Sequence, residues 1–363
     1  LPGAPSAPAA PSSPNAPSTP AASQASAPSK PAAPATQKPA AAKSTAKPAE
    51  AKKAADKSYG RFTLKQWIGG GILVIIGLAV LLALAVFGAR YFFSTDFGAD
   101  FLNRYDGHSS LPESAPVGIP AWLSWQHFFN LFFMVLIIRT GLQIRYERKP
   151  SAYVTPKLSK KKISLTMWFH LSLDILWVVN GLIFIILLFV TGHWMRVVPT
   201  SWDVFPNALS AGLQYLTLDW PTENGWVNYN ALQLLSYFVT IFIAAPLAII
   251  SGFRLSSFWS KKWTKASQFY PAPVARKIHV PVMLYFVIFI VIHVVLVVST
   301  GMLRNLNSMF AAQGDVDPSV YANNWTGFFF FLGALVVIAA AWVAARPMVL
   351  APVARLFGKV TAR

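Results

Sequence analysis

Apolar residues along this chain gather into six long runs, approximately Trp67–Phe87, Ala121–Gly141, Ile163–Val190, Leu232–Phe253, Ile278–Gly301 and Thr326–Val343. Runs of about 20 apolar residues predict membrane-crossing helices, because lipid tolerates only elements that satisfy all their backbone hydrogen bonds internally. Residues 1–58 break the pattern: they are rich in Pro, Ala and Ser, carry scattered lysines and hold almost no large apolar side chain. Such a stretch cannot bury enough surface to fold, and it has neither the apolar core nor the cleavage site of a signal peptide. It is expected to be a disordered tail.

The polar connections sort by sign. Those at 142–162 and 254–277 are strongly basic, through residues such as Arg148, Lys161, Lys262 and Arg276. Both ends of the chain are basic as well, through the tail lysines and through Arg346, Arg355, Lys359 and Arg363. The remaining connections carry mostly acids: Asp96, Asp100, Asp106 and Glu113, then Asp203, Asp219 and Glu223, then Asp315 and Asp317. Basic loops stay on the cytoplasmic side, so one topology satisfies all of them, with both termini cytoplasmic. The long connection 191–231, with Trp194, Trp202, Trp220 and Trp226, is expected to form an interfacial cap on the outer face.

Composition agrees with an all-α integral membrane protein: 55% of residues are hydrophobic and only 12% charged. The net charge of +18 would suggest nucleic acid in a soluble protein, but here it lies in the tail and alternate loops, where it orients the chain and meets anionic lipid. With no cysteine, the chain can form neither disulfides nor thiolate-ligated clusters. Any iron–sulfur centre of a redox complex must belong to another subunit.

The fifth run holds two of the six histidines, His279 and His293. Fourteen residues of helix rise roughly 21 Å and end about 40° short of four full turns, so both rings leave nearly one face. His127 lies near the outer end of the second run and His170 near the cytoplasmic end of the third. Depth alone therefore makes an outer pair, His127 with His293, and an inner pair, His170 with His279. Ionisable residues in a membrane helix are costly and mark function, and axial ligation of haem iron is an established use of histidine. Two bis-histidine haems b stacked across the bilayer fit the pattern. A lone membrane histidine more often bonds a neighbouring helix. A single zinc ion cannot be reached by residues split over some 20 Å. A haem-free proton-coupled transporter would want acids in the spans, where only Asp174 stands, and internal repeats, which are not seen. A structural anchor for a soluble enzyme would tolerate loss of all four histidines. His193, Asp174 and Asn180 are candidates for a second shell or a quinone and proton path. Arg276 and Lys277 are candidates for inner propionate contacts or headgroup anchoring. Pro246 is expected to kink the fourth span.

Residues 121–301 resemble the four-helix di-haem cytochrome b subunits of formate dehydrogenases (the gamma subunit), nickel–iron hydrogenases and thiosulfate-reductase-type complexes. The resemblance rests on His127 with Thr140-Gly141, on WFHLSLDILWVVNG around His170, and on Ala275-Arg276, Ile278-His279, His293 and Thr300-Gly301. It implies a four-helix core of the second to fifth spans; the additional helix at 59–95 and another, with a basic tail, at 302–363 lie outside that core. It also implies electron transfer in a respiratory oxidoreductase complex, between hydrophilic iron–sulfur partner subunits and ubiquinone or menaquinone. His170 and His279 would hold the partner-facing haem, and His127 and His293 the quinone-side haem. A stand-alone quinone-linked cytochrome b shares this chemistry, and an oligomer is compatible with it. The basic loops here put the His170/His279 end in the cytoplasm, whereas the best-known relatives have that end outside.

Overall fold

The computed structural model describes residues 58–220 and 224–362; the tail up to residue 57 and Glu223 lie outside the described residues. A two-strand hairpin, β1 (Ser58–Tyr59) and β2 (Phe62–Thr63), turns at Gly60, whose φ of 71° suits glycine. Ser58 therefore belongs to a strand, and the first long helix, α1, runs from Leu64 to Ser94.

Six helices are long and apolar enough to cross a membrane: α1, α3 (Ala121–Tyr146), α4 (Leu165–Val190), the continuous segment Ala231–Leu255, α9 (Ala272–Ser299) and α11 (Thr326–Ala344). No more than 17% of any apolar window is buried within the chain, although mean hydropathy there reaches 3.0. Helices apolar all round and bare of protein must be covered by lipid. The chain is a multi-pass membrane protein.

Between the spans, short helices complete the order: α2 (Asp96–Arg104), α5 (Val204–Leu216), α8 (Thr264–Phe269), α10 (Met302–Ala311) and α12 (Pro347–Phe357). The fourth span is itself composite, α6 (Ala231–Val239), a π-helical turn at Thr240–Ala244 and α7 (Ala245–Leu255). The irregularity expected at Pro246 thus appears one turn earlier. Proline's ring crowds the carbonyl four residues back, and a widened i→i+5 turn makes room. The fifth span begins at Ala272 rather than Ile278, because Pro271 caps it and Pro273 sits in a first turn whose N–H groups need no helical partner.

The two ends differ. At the basic end, β3 (Ala152–Pro156) pairs antiparallel with β4 (Ile163–Ser164) on one side and β5 (Gly358–Ala362) on the other. The expected basic tail is therefore helix α12 and strand β5, and Ala354 of α12 packs with Val154, Leu165 and Trp168. Lys161 Nζ donates to the Ser257 and Trp259 carbonyls at 2.7 Å, joining the two basic connections. At the acidic end, Asp203 accepts from the Ser109 and Ser110 hydroxyls at 2.7 and 3.1 Å. Asn224 donates to the carbonyls of Asp315 and Val316, and α5 buries Val204 and Ala208 against Ala231 and Leu234. Alternate connections thus assemble into one cap over the bundle.

Candidate functional site

Helix α9 presents His279 and His293 to two different neighbours. His293 faces His127 of α3, with ring centroids 6.2 Å apart and planes at 51°. His279 lies near His170 of α4, close enough that a charge on one ring acts on the other. Among the described residues no three His, Asp or Glu side chains converge as a metal cluster would. Four of the six histidines come in twos.

At the basic end, hydroxyls fix the rings. Thr140 Oγ1 lies 2.7 Å from His170 Nδ1 and donates its proton to the Leu136 carbonyl at 2.8 Å. Ser251 Oγ lies 3.0 Å from His279 Nδ1 and donates to the Leu247 carbonyl at 2.6 Å. A hydroxyl has one proton, so each oxygen, with its proton committed to the backbone, accepts from Nδ1–H. That tautomer leaves the Nε2 lone pair of both rings available to a metal. Glycines follow both hydroxyl residues: a Cβ on Gly141 would stand 3.4 Å from His170 Cε1, and one on Gly252 3.2 Å from His279 Cε1.

At the acidic end, aromatic rings do the positioning. Phe289 stacks on His293 at 5.8 Å and 6°, and Phe310 of α10 meets His127 edge-on at 5.4 Å. His127 Nδ1 is buried without a hydrogen-bond partner. The two rings, 6.2 Å apart with no third ligand converging on them, could hold one metal ion between two imidazoles, the ligation that paired histidines offer haem iron.

The remaining candidates fall around these pairs. Asp174 Oδ2 lies 3.6 Å from His170 Nε2, one helical turn along α4. Asn180 is half-buried, and a Cβ on Gly181 would touch nothing within 4 Å, so helix packing does not require that glycine. Arg276 and Lys277 are exposed at the start of α9, as headgroup anchors would be. His193 stands apart from both pairs, edge-on to Trp122 at 5.5 Å, with Nδ1 2.9 Å from Thr191 Oγ1. Burial, and then the charge of Arg196, hold its imidazole below the ordinary histidine range.

Thr140 figures in the sequence reading as a Thr-Gly motif, but its hold on His170 does not, and Ser251 is missed. The signal is present: a small hydroxyl residue followed by glycine recurs at 140–141 and 251–252. Two buried arginines, Arg196 and Arg304, are also missed.

Neither the curated proteins nor the solved structures contain a match to this chain. Residues 118–312, more than half of the chain and the whole of both histidine pairs, match the prokaryotic cytochrome b561 family. The chain therefore belongs to that family, a membrane cytochrome b that binds haem b and serves electron transfer.

Proposed function

We propose that this chain carries electrons across a bacterial inner membrane through two haems b, one held by His127 and His293 and one by His170 and His279. The observation that carries the reading is that one helix presents two histidines, each opposed by a single histidine from a different neighbour. Their separation along α9 is roughly 21 Å, which fits within the roughly 30 Å hydrocarbon core of a bilayer. Bound haem supplies one-electron chemistry at its iron. The protein supplies neutral imidazoles, an apolar shell that keeps water away, and hydroxyl partners that hold the inner rings in the ligating tautomer.

On this reading electrons pass between hydrophilic iron–sulfur subunits, of formate dehydrogenase type, and ubiquinone or menaquinone near one haem. Both termini and the basic connections lie in the cytoplasm, so the His170/His279 haem is the cytoplasmic one. The first test is a dithionite-minus-oxidised visible spectrum of the purified chain with pyridine haemochrome stoichiometry. Two haems b per chain are expected, falling to one in His127→Ala and to one in His170→Ala. A well-folded preparation without a Soret band would overturn the reading.

A further inference from the structure

Eight buried side-chain polar atoms lack a hydrogen-bond partner among the described residues, and all but Ser159 Oγ lie at the acidic end. His127 Nδ1, His193 Nε2, Arg196 Nε and Arg304 Nε are among them, with others on the first turns of α3 and at Asn228. Native interiors leave few such atoms, so their concentration in one place points to a polar group that belongs there.

The two arginines say what kind of group. Arg196 is 2% exposed and Arg304 9%. Arg196 donates to the carbonyls of Gly118 at 2.5 Å and Gly225 at 2.7 Å and lies 4.8 Å from the Tyr229 ring centre. Arg304 donates to the Thr300 carbonyl at 2.6 Å. Carbonyls satisfy N–H groups but do not neutralise a guanidinium. Among the described residues the carboxylates facing basic side chains are Asp106, beside His108, and Asp174, beside His170, so neither arginine has a counter-charge. A buried cation of this kind calls for an anion.

Contacts lead from each arginine toward the outer histidine pair. From Arg196 a continuous series of ring contacts runs through Tyr229, Tyr237 and Phe289 to His293. Arg304 lies on the first turn of α10, the helix whose Phe310 touches His127, and its guanidinium bonds back to Thr300 at the end of α9. A haem lodged between those histidines carries two carboxylates on one edge of its ring, and they must leave the apolar layer toward the polar end of the bundle. We propose that Arg196 and Arg304 hold the two propionates of the haem between His127 and His293. The inference rests on the di-haem reading above and assigns residues that the motif pattern leaves out. Guanidinium and carboxylate match in charge and in planar, bidentate geometry.

The test compares haem b with its dimethyl ester, in which both propionates are neutral, by reconstituting the full-length chain produced under haem limitation. The wild-type outer site is expected to take haem b at least tenfold more tightly than the ester. Arg196→Gln and Arg304→Gln should each reduce that preference several-fold. Potentiometric titration adds a second readout. Loss of a positive charge beside the haem stabilises its oxidised form, so each variant should lower the outer potential, a tenfold change in the oxidised-to-reduced ratio being 59 mV for one electron. The inner potential should stay fixed, and Arg196→Lys should recover part of the shift. A wild-type chain that binds two haems yet takes ester and acid equally well overturns this inference alone, even if an arginine variant fails to fold. Variants that alter quinone binding but not ester discrimination overturn it too. A chain that binds no haem overturns the di-haem reading itself.

Discussion

At the basic end, His170 and His279 each give their Nδ1 proton to a hydroxyl on a neighbouring helix, while at the acidic end His127 and His293 are placed by phenylalanines. The first arrangement fixes a tautomer and raises ligand basicity; the second fixes ring orientation and leaves the proton unassigned. Charge differs as well. The inner pair has the carboxyl group of Asp174 beside it, and the acidic end that holds the outer pair buries two arginines. A positive neighbour favours reduced iron, so with the proposed arginine contacts the outer haem should have the higher potential and electrons should rest there.

The largest effects should come from removing one ligand at a time on α9. His279→Ala is expected to abolish the lower-potential wave of a redox titration and His293→Ala the higher one, each leaving about one haem per chain. If either variant abolishes both waves in a folded protein, the two pairs are not independent and the comparison fails.

Removing the hydroxyl partners should cost less and act at one end. Thr140→Val or Ser251→Ala takes away the acceptor for Nδ1–H, a change worth about 10–100-fold in metal affinity at other histidine sites. Haem retention on dilution should fall at the inner site and hold at the outer. Phe289→Ala should do the reverse, loosening only the outer haem by about 0.5–1.5 kcal/mol for the lost ring contact. Equal losses at both ends in either variant would mean that the hydroxyls and rings serve general packing.

These contrasts show which features a linear sequence carries. The six spans are legible because lipid imposes a local rule, an unbroken apolar run, that needs no partner to be recognised. The pairing of histidines by depth is legible for a related reason: rise per residue and loop charge fix height in the bilayer. Angular position about a helix axis depends on which neighbours pack where, and so the hold of Thr140 and Ser251 on the rings emerges only from the fold. The strand Gly358–Ala362 pairs with residues some two hundred positions earlier, and nothing in five short residues names that partner. Arg196 and Arg304 read as ordinary connector charges until the cap closes over them.

A smaller, steric effect should separate the glycines. On Gly252 a Cβ would press His279 Cε1 at 3.2 Å, so Gly252→Ala must displace the ring by a few tenths of an ångström. A modest shift in the inner haem's spectrum is expected. Gly181→Ala adds a Cβ where nothing lies within 4 Å and should leave both haem spectra unchanged.

The smallest effect concerns acid, and it should appear only in the cap. His193 is held below the usual histidine pKa first by burial and second by Arg196, so the folded state favours its neutral ring. The unfolded cap takes up a proton near pH 6.5, the folded cap only at lower pH. The stability due to the neutral ring is therefore complete above about pH 6.5 and declines as pH falls below it. Asp203 adds a second step. Partial burial works against its charge, but hydrogen bonds from Ser109, Ser201 and Ser110 prevail and depress its pKa below the usual carboxylate value. Its contribution is present above the ordinary carboxylate range and is lost only as pH falls through the depressed value. Amide hydrogen exchange across 191–231, corrected for intrinsic rates, should thus quicken between pH 7 and 5. His193→Gln should remove that first step and leave the more acidic one. The strands β3–β5 at the basic end should show neither step, because no histidine and no depressed carboxylate joins them. Matching acceleration at both ends would mean that acid loosens the whole bundle rather than its cap.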